Sequence, residues 1–287
     1  MFMAHQHDIE AARDPAHGLQ LNLVEPTEAL KARFIAWMSS PAAKSKCALD
    51  PEFVRVAKAM PKDTEDDLVQ VFMAFLLFTA GFADWALPRY TADTVLAFAN
   101  DLPVKQEAGV RMFRPNGPQN VVIDAEVKGK KQGWLHNLTA LAHELHLHET
   151  GLPNKVTTII RGIKTARSYV DACKKPRALP GIGPYCAMRI VRDIFEVVYD
   201  NSPGLFEHHQ AVVDSMKTKT PFGTGPKKAL KMMAGKSDGR RVPFAKMIVD
   251  LAERATHTYG RSFTAVQIED SLCKFSGTLR SKKRRRE

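Results

Sequence analysis

The residues of this 287-residue chain whose types and spacing point most directly to chemistry are Leu179-Pro180-Gly181-Ile182-Gly183-Pro184-Tyr185. Gly181 and Gly183 supply positive φ without steric cost and let a second backbone come close. Pro184 suits the first turn of a helix, where its missing N–H is not needed. The free amides of that turn then face outward as an anion site. The same residues also suit a plain connector that holds no ligand. A second group, His143, Glu144, His146 and His148, falls short of a zinc helix, because Leu147 stands where His-Glu-x-x-His needs its second histidine. Cys47, Cys173, Cys186 and Cys273 are far apart, without metal-ligand spacing. No metal or other cofactor is therefore expected.

The elements that would position the glycine stretch are helical. Val156, Ile159, Ile160, Ile163 and Val170 recur at helical spacing before it, and Ile190, Val191, Ile194, Val197 and Val198 after it. This predicts two amphipathic helices over 156–200 joined by a tight turn. A helix from Thr64, with Glu65, Asp66 and Asp67 in its first turn, runs to Gly81 and is apolar on most of its surface, so it is expected at the centre of the core. Further helices are expected over 27–37, 91–99, 133–150, 227–233 and 244–260, with a last one carrying Val266, Leu272 and Phe275. The 111–124 stretch reads as a turn between extended pieces, and 200–225 as a long irregular segment too polar for the core. The expected class is all-α with at most a small β-hairpin: a flexible segment over 1–24, a helical domain over 25–278 and a basic, disordered tail over 279–287.

The formal net charge is +11 and the sequence pI about 9.5, a balance that favours a polyanionic partner. About +5 of it sits in Arg280, Lys282, Lys283, Arg284, Arg285 and Arg286 against Glu287. Such a run adds sequence-independent affinity for nucleic acid, addresses a chain to a nucleus, or is simply solvated. The longest apolar run, Val71 to Phe78, is too short to span a bilayer. No secretory signal is evident, and the scattered cysteines fit a reduced compartment.

The Leu-Pro-Gly-Ile-Gly turn between two such helices resembles a helix-hairpin-helix, a module that grips a DNA phosphate through backbone amides. In an all-helical chain of this size it resembles the helix-hairpin-helix DNA glycosylases, most closely over 156–233. That resemblance implies two helical subdomains around a cleft that receives a flipped base. The lysine that bifunctional members carry after the hairpin is replaced here by Tyr185, so a Schiff-base lyase is not expected. Val212-Val213-Asp214-Ser215 resembles the family's Val-Asp-Thr-His segment and would make Asp214 the catalytic carboxylate, with Met216 in place of the histidine.

A second resemblance covers four segments in order: Gly181–Tyr185, Arg189–Ile194, Gly223–Leu230 and Ile268–Phe275. That order is similar to the α-glutamyl/putrescinyl thymine pyrophosphorylases, phage-associated relatives of the glycosylases. The likeness implies a transferase acting on 5-(pyrophosphoryloxymethyl)uracil in DNA, which replaces pyrophosphate with an amine or amino acid. In the last segment Lys274 stands where the family has an acid, and Ser276-Gly277 replaces an Asp-Lys pair. The implied chemistry needs a cradle for pyrophosphate, for which Gly223, Gly225, Lys227 and Lys228 are candidates. It also needs a carboxylate base that frees the amine, for which Asp193 and Glu269 are candidates. Each has a plainer use: a basic loop for the first set, an ion pair with Arg189 or Arg192 for Asp193, and a structural partner for Glu269.

The sequence thus leads us to expect a DNA-modifying enzyme in the cytoplasm of an infected bacterial host, or the nucleus if the source is eukaryotic. Asp214, Asp193, Glu269 and Tyr185 are its candidate catalytic residues. Gly181, Ile182, Gly183, Lys282, Lys283 and Arg284 are its candidate DNA contacts. The expected partners are double-stranded DNA and an amine or amino acid, with no membrane. The runner-up is a monofunctional DNA glycosylase, and a third reading is a noncatalytic DNA-binding module.

Overall fold

The computed structural model describes residues 27–40, 51–113, 125–127, 130–199, 203–221, 223–235 and 242–284. These residues are almost wholly helical. In chain order they form α1 (Thr27–Met38), α2 (Pro51–Ala59), α3 (Glu65–Ala80), α4 (Ala92–Glu107), β1 (Ala125–Val127), β2 (Lys130–Gln132), α5 (Trp134–Glu149), α6 (Lys155–Lys164), α7 (Tyr169–Lys174), α8 (Pro184–Asp193), α9 (His209–Thr218), α10 (Thr224–Met233), α11 (Phe244–Tyr259) and α12 (Ala265–Arg284). The all-α expectation stands. Among the described residues there is one antiparallel strand pair, which joins Ala125 to Gln132 and Val127 to Lys130. It lies just after the expected 111–124 stretch, most of which falls outside the described residues.

Helix α3 is the centre of the larger of two apolar cores. Thr64 caps its N-terminus in a capping box with Asp67, and Gly81 ends it at φ 97°. From Leu68 to Ala80 almost every side chain is buried, which a helix tolerates only when it is surrounded. Phe53 stacks on Phe78 at 3.6 Å between ring centroids and meets Trp85 edge-on at 4.8 Å. Truncating such a ring to alanine typically costs about 3–5 kcal/mol. This core takes its remaining apolar side chains from Ala57 of α2, from Phe82 and Tyr90 between α3 and α4, from the stretch running from α4 to α9, and from Val266 of α12.

The second core brings the first and the last of the described helices together. Leu30, Phe34 and Ile35 of α1 pack with Leu230 and Met233 of α10, Ile248 and Leu251 of α11, and Ile268, Leu272 and Phe275 of α12. Phe34 meets Phe275 edge-on at 5.3 Å. Helix α12 therefore serves both cores. Residues 265, 268, 272 and 275 form a stripe into the second, while Val266, at a different angle on the same helix, reaches the first.

The structure revises four expectations. The pattern over 156–170 is two helices, not one: α6 stops at Lys164, and Ser168 caps α7 by accepting the Asp171 amide. The segment after 200 is not irregular throughout, because α9 forms and buries Val212 and Met216. The predicted 91–99 helix continues through Pro103 to Glu107. The basic tail is not disordered from 279; α12 carries its backbone, including Lys282, Lys283 and Arg284, to Arg284 as helix. Residues 1–24 and 285–287 lie outside the described residues. Among the described residues no helix is long and apolar enough to cross a membrane.

Candidate active site in the seam between the two cores

The turn expected at residues 179–183 is present. A short 3-10 turn over Pro176–Ala178 follows α7, and α8 starts at Pro184 with Gly183 as its N-cap. Leu179 and Ile182 are buried and anchor the turn, while the glycines stay at the surface. Gly181 has φ +77°, and a Cβ there would clash with the Asn137 side chain on α5. Gly183 differs from the expectation: its φ is −77°, open to any residue, and nothing lies within 4 Å of where its Cβ would stand. The space in front of Gly183 is therefore open, and the first-turn amides of α8 border it.

One face of α8 and one face of α12 carry opposite charges into the seam. Arg192 is buried. Its guanidinium donates to Asp193 Oδ1 from Nη2 at 2.6 Å and Nε at 2.7 Å, and its Nη1 lies 3.1 Å from Asp270 Oδ2 on α12. Lys274, one turn further along α12, holds the same Asp270 oxygen at 2.8 Å. The Tyr185 hydroxyl donates to Asp270 Oδ1 at 3.3 Å. Burial raises the Asp270 carboxyl pKa, but Arg192, Lys274 and Arg189 outweigh it and hold the group well below the usual carboxylate range. Lys274 is thus an ion-pair partner of Asp270. Burial first, and then the Asp270 charge, keep the Tyr185 phenol protonated well above its ordinary range.

Glu269, next to Asp270, is fully buried and behaves in the opposite way. Its Oε1 accepts the Gly223 amide at 3.1 Å, and its Oε2 has no hydrogen-bond partner. Burial pushes its carboxyl up to about 7, only partly offset by the Gly223 hydrogen bond. Two adjacent carboxyls thus divide the roles: Asp270 stays ionised in a cage of cations, while Glu269 exchanges a proton near neutral pH.

The 223–228 segment forms the start of α10, with Gly223 as its N-cap. Its glycines are explained first by packing. A Cβ on Gly225 would stand 3.0 Å from Ser276 Oγ and 3.4 Å from Cys273 Sγ, so glycine lets α10 lie close against α12. The Gly223 amide is taken up by Glu269. The next two amides have no acceptor within the helix by geometry, and Lys227 and Lys228 are exposed behind them.

The sequence candidates therefore divide. Tyr185, Asp193, Glu269, Gly223 and Gly225 come together along α8, α10 and α12. Asp193 is not in the surface ion pair anticipated for it: it is 1% exposed, bonded to Arg192, with Oδ2 unpartnered. Asp214 is not brought to the seam. It lies exposed on α9, held by Lys217 at 2.7 Å, which lowers its carboxyl below the ordinary value. Sequence reasoning missed Arg192, Asp270 and Lys274 as one unit, although the i,i+4 spacing of Asp270 and Lys274 was a usable signal. Among the described residues no three His, Cys, Asp or Glu side chains could hold a metal ion. His143 and His146 are exposed, and His209 is buried against Phe195 and Phe206.

Compared with known proteins, the chain matches no family model, no curated protein and no solved structure.

Proposed function

We propose that the protein is a DNA-modifying transferase that works at the seam, with Glu269 as its proton acceptor. The substrate is a thymine derivative flipped out of double-stranded DNA and carrying pyrophosphate on the carbon at its 5-position. An amine or amino acid attacks that carbon through nitrogen. The carbon–oxygen bond breaks, pyrophosphate leaves with the bonding pair, and the proton shed by nitrogen passes to Glu269. The first-turn amides of α10 with Lys227 and Lys228 supply positive potential where the leaving anion forms. The turn at 179–183 holds the DNA backbone through amides.

One observation carries this reading: a fully buried carboxyl with a pKa of about 7 and a free oxygen, bonded to the N-cap amide of a helix whose start suits an anion. Such a group is commoner at catalytic sites than in a noncatalytic DNA-binding module, where no reaction calls for it. A glycosylase centred on Asp214 is disfavoured, because that side chain lies on the surface in an ion pair.

DNA containing 5-(pyrophosphoryloxymethyl)uracil, incubated with the protein and glycine or putrescine, should release pyrophosphate and yield an aminated thymine on nucleoside mass spectrometry. Glu269→Gln should lower turnover at least about a hundredfold, the usual scale of a lost general base. Release of free base with abasic sites would replace this reading with the glycosylase one.

A further inference from the structure

Asn137 on α5 is a polar side chain of the glycine turn that the reaction above leaves unused. Its carboxamide packs against Gly181: a Cβ there would clash with Asn137 Nδ2 and stand 3.0 Å from its Cγ. The missing Cβ thus makes room for an amide group, not for an apolar one. That amide is partly buried, and among the described residues its side chain has no hydrogen-bond partner. Filling the gap alone would call for an apolar side chain, because an unpartnered carboxamide gives up hydrogen bonds to water as it is covered. Its polar atoms are not sealed from solvent, so its two N–H donors stay within reach of a ligand.

The surroundings of Asn137 favour an anion. Arg177 stands exposed in the 3-10 turn that leads into Leu179, and among the described residues no carboxylate pairs with it. Asp171, the acid of the preceding α7, is held by Lys174 at 2.8 Å. Neither α5 nor α8 has a capping side chain or an acid in its first turn, so both bring positive helix ends to this place. We propose that Asn137, Arg177 and the glycine turn form one surface for the backbone of duplex DNA. Asn137 Nδ2 donates to a phosphate oxygen, and Arg177 supplies charge to a phosphate beside it. The donors are spread over α5, the 3-10 turn and the start of α8, an open arrangement that suits a run of phosphates better than a single enclosed anion. Such contacts fix the position of the duplex without reading its sequence. The inference rests on the DNA reading of the turn and adds α5 to it.

The test uses the full chain and a fluorescein-labelled DNA duplex, with anisotropy followed over a series of salt concentrations. Asn137→Ala should weaken binding at least about fivefold, the scale of a lost hydrogen bond to a charged group. Because the lost donor is neutral, the slope of log affinity against log salt should not change. Arg177→Ala should instead shrink that slope by roughly 0.9, one phosphate's worth of released counterion. Asn137→Asp should weaken binding more than Asn137→Ala, since it sets a negative charge against a phosphate. A nitrogen–proton correlation spectrum of the wild-type protein guards against misfolding of the variants. The Asn137 side-chain amide signals, identified by their loss in Asn137→Ala, should move when duplex is added. The proposal fails if Asn137→Ala binds within about twofold of the wild-type protein, well short of a lost hydrogen bond. It also fails if the amide signals stay still at saturation, or if Arg177→Ala leaves the slope unchanged. Gly183→Asp separates it from the reading it rests on. Binding weakened by Gly183→Asp but not by Asn137→Ala keeps the turn and rejects this surface. The reverse keeps Asn137 as a DNA contact and rejects the grip of the turn. A wild-type protein that binds no duplex overturns both.

Discussion

Arg192 Nη1 lies 3.1 Å from Asp270 Oδ2, and this buried pairing ties α8, which leads out of the glycine turn, to α12, which carries Glu269. Both partners are closed off from solvent. The pair spans two cores that are otherwise apolar, so it fixes how the turn and the proton-exchanging carboxyl face one another.

The first expectation concerns that pair. Arg192→Leu strands Asp193 and Asp270 as buried charges without their guanidinium. Breaking a buried pair from one side costs about 3–5 kcal/mol. Urea unfolding followed by circular dichroism should show a loss in that range, and a loss under about 1 kcal/mol would mean the pair is not buried in solution. Because the Asp270 pKa is depressed, the stability it contributes is present above its unfolded value of 3.8 and is lost as pH falls through the lower folded value.

Glu269 should give the opposite pH dependence. Its folded pKa of about 7 lies above the unfolded value of 4.5. Its contribution is therefore fully present below pH 4.5 and disappears as pH rises through 7. The shift corresponds to roughly 3 kcal/mol. Relative to Glu269→Gln, the wild-type protein should lose that much stability between about pH 4.5 and pH 8. Parallel stability curves for the two proteins would show that the carboxyl titrates normally.

The two turn glycines should separate fold from binding. Gly181→Ala meets both a positive φ and the Asn137 side chain, and should lower stability by about 1–3 kcal/mol. Gly183→Asp has ordinary φ and open space. It should leave the melting temperature within about 2 °C, since surface changes stay near ±0.5 kcal/mol. It should nevertheless weaken DNA binding at least about tenfold, because a carboxylate then faces a phosphate. Equal DNA affinities for Gly183→Asp and the wild-type protein would remove the turn from the DNA interface.

Deleting 280–287 removes six basic residues and Glu287. The last buried residues of α12 in the second core, Leu272 and Phe275, stay in place. Affinity should fall about equally for all DNA sequences, and the slope of log affinity against log salt should shrink by roughly 0.9 for each phosphate that the shortened chain no longer neutralises. Turnover at saturating DNA should be unchanged; a large drop would place the end of α12 in the reaction.

Local chemistry made much of the chain legible from its sequence. The acidic first turn of α3 and its end at Gly81, the helical periodicity of α6, α8 and α11, and the proline at the start of α8 act within a few residues, so they survive without knowledge of the fold. Glu269 was also in view as a candidate, because the implied chemistry calls for a carboxylate base. Its protonation behaviour was not. That depends on burial and on a hydrogen bond from Gly223, 46 positions away in sequence. Gly181-Ile182-Gly183-Pro184 and Gly223-Thr224-Gly225-Pro226 have nearly the same wording, yet the second glycine caps α8 in one case and the first caps α10 in the other. Close packing on Cys273 and Ser276 accompanies the second choice. Asp214 and Asp270 show the same limit. Both are helical aspartates with a lysine three or four residues on, and only the packing of α8 against α12 puts one in solvent and the other in the seam. Sequence determined the helices and the charges they carry; tertiary structure decided which charges lose water, because desolvation depends on neighbours that no local pattern records.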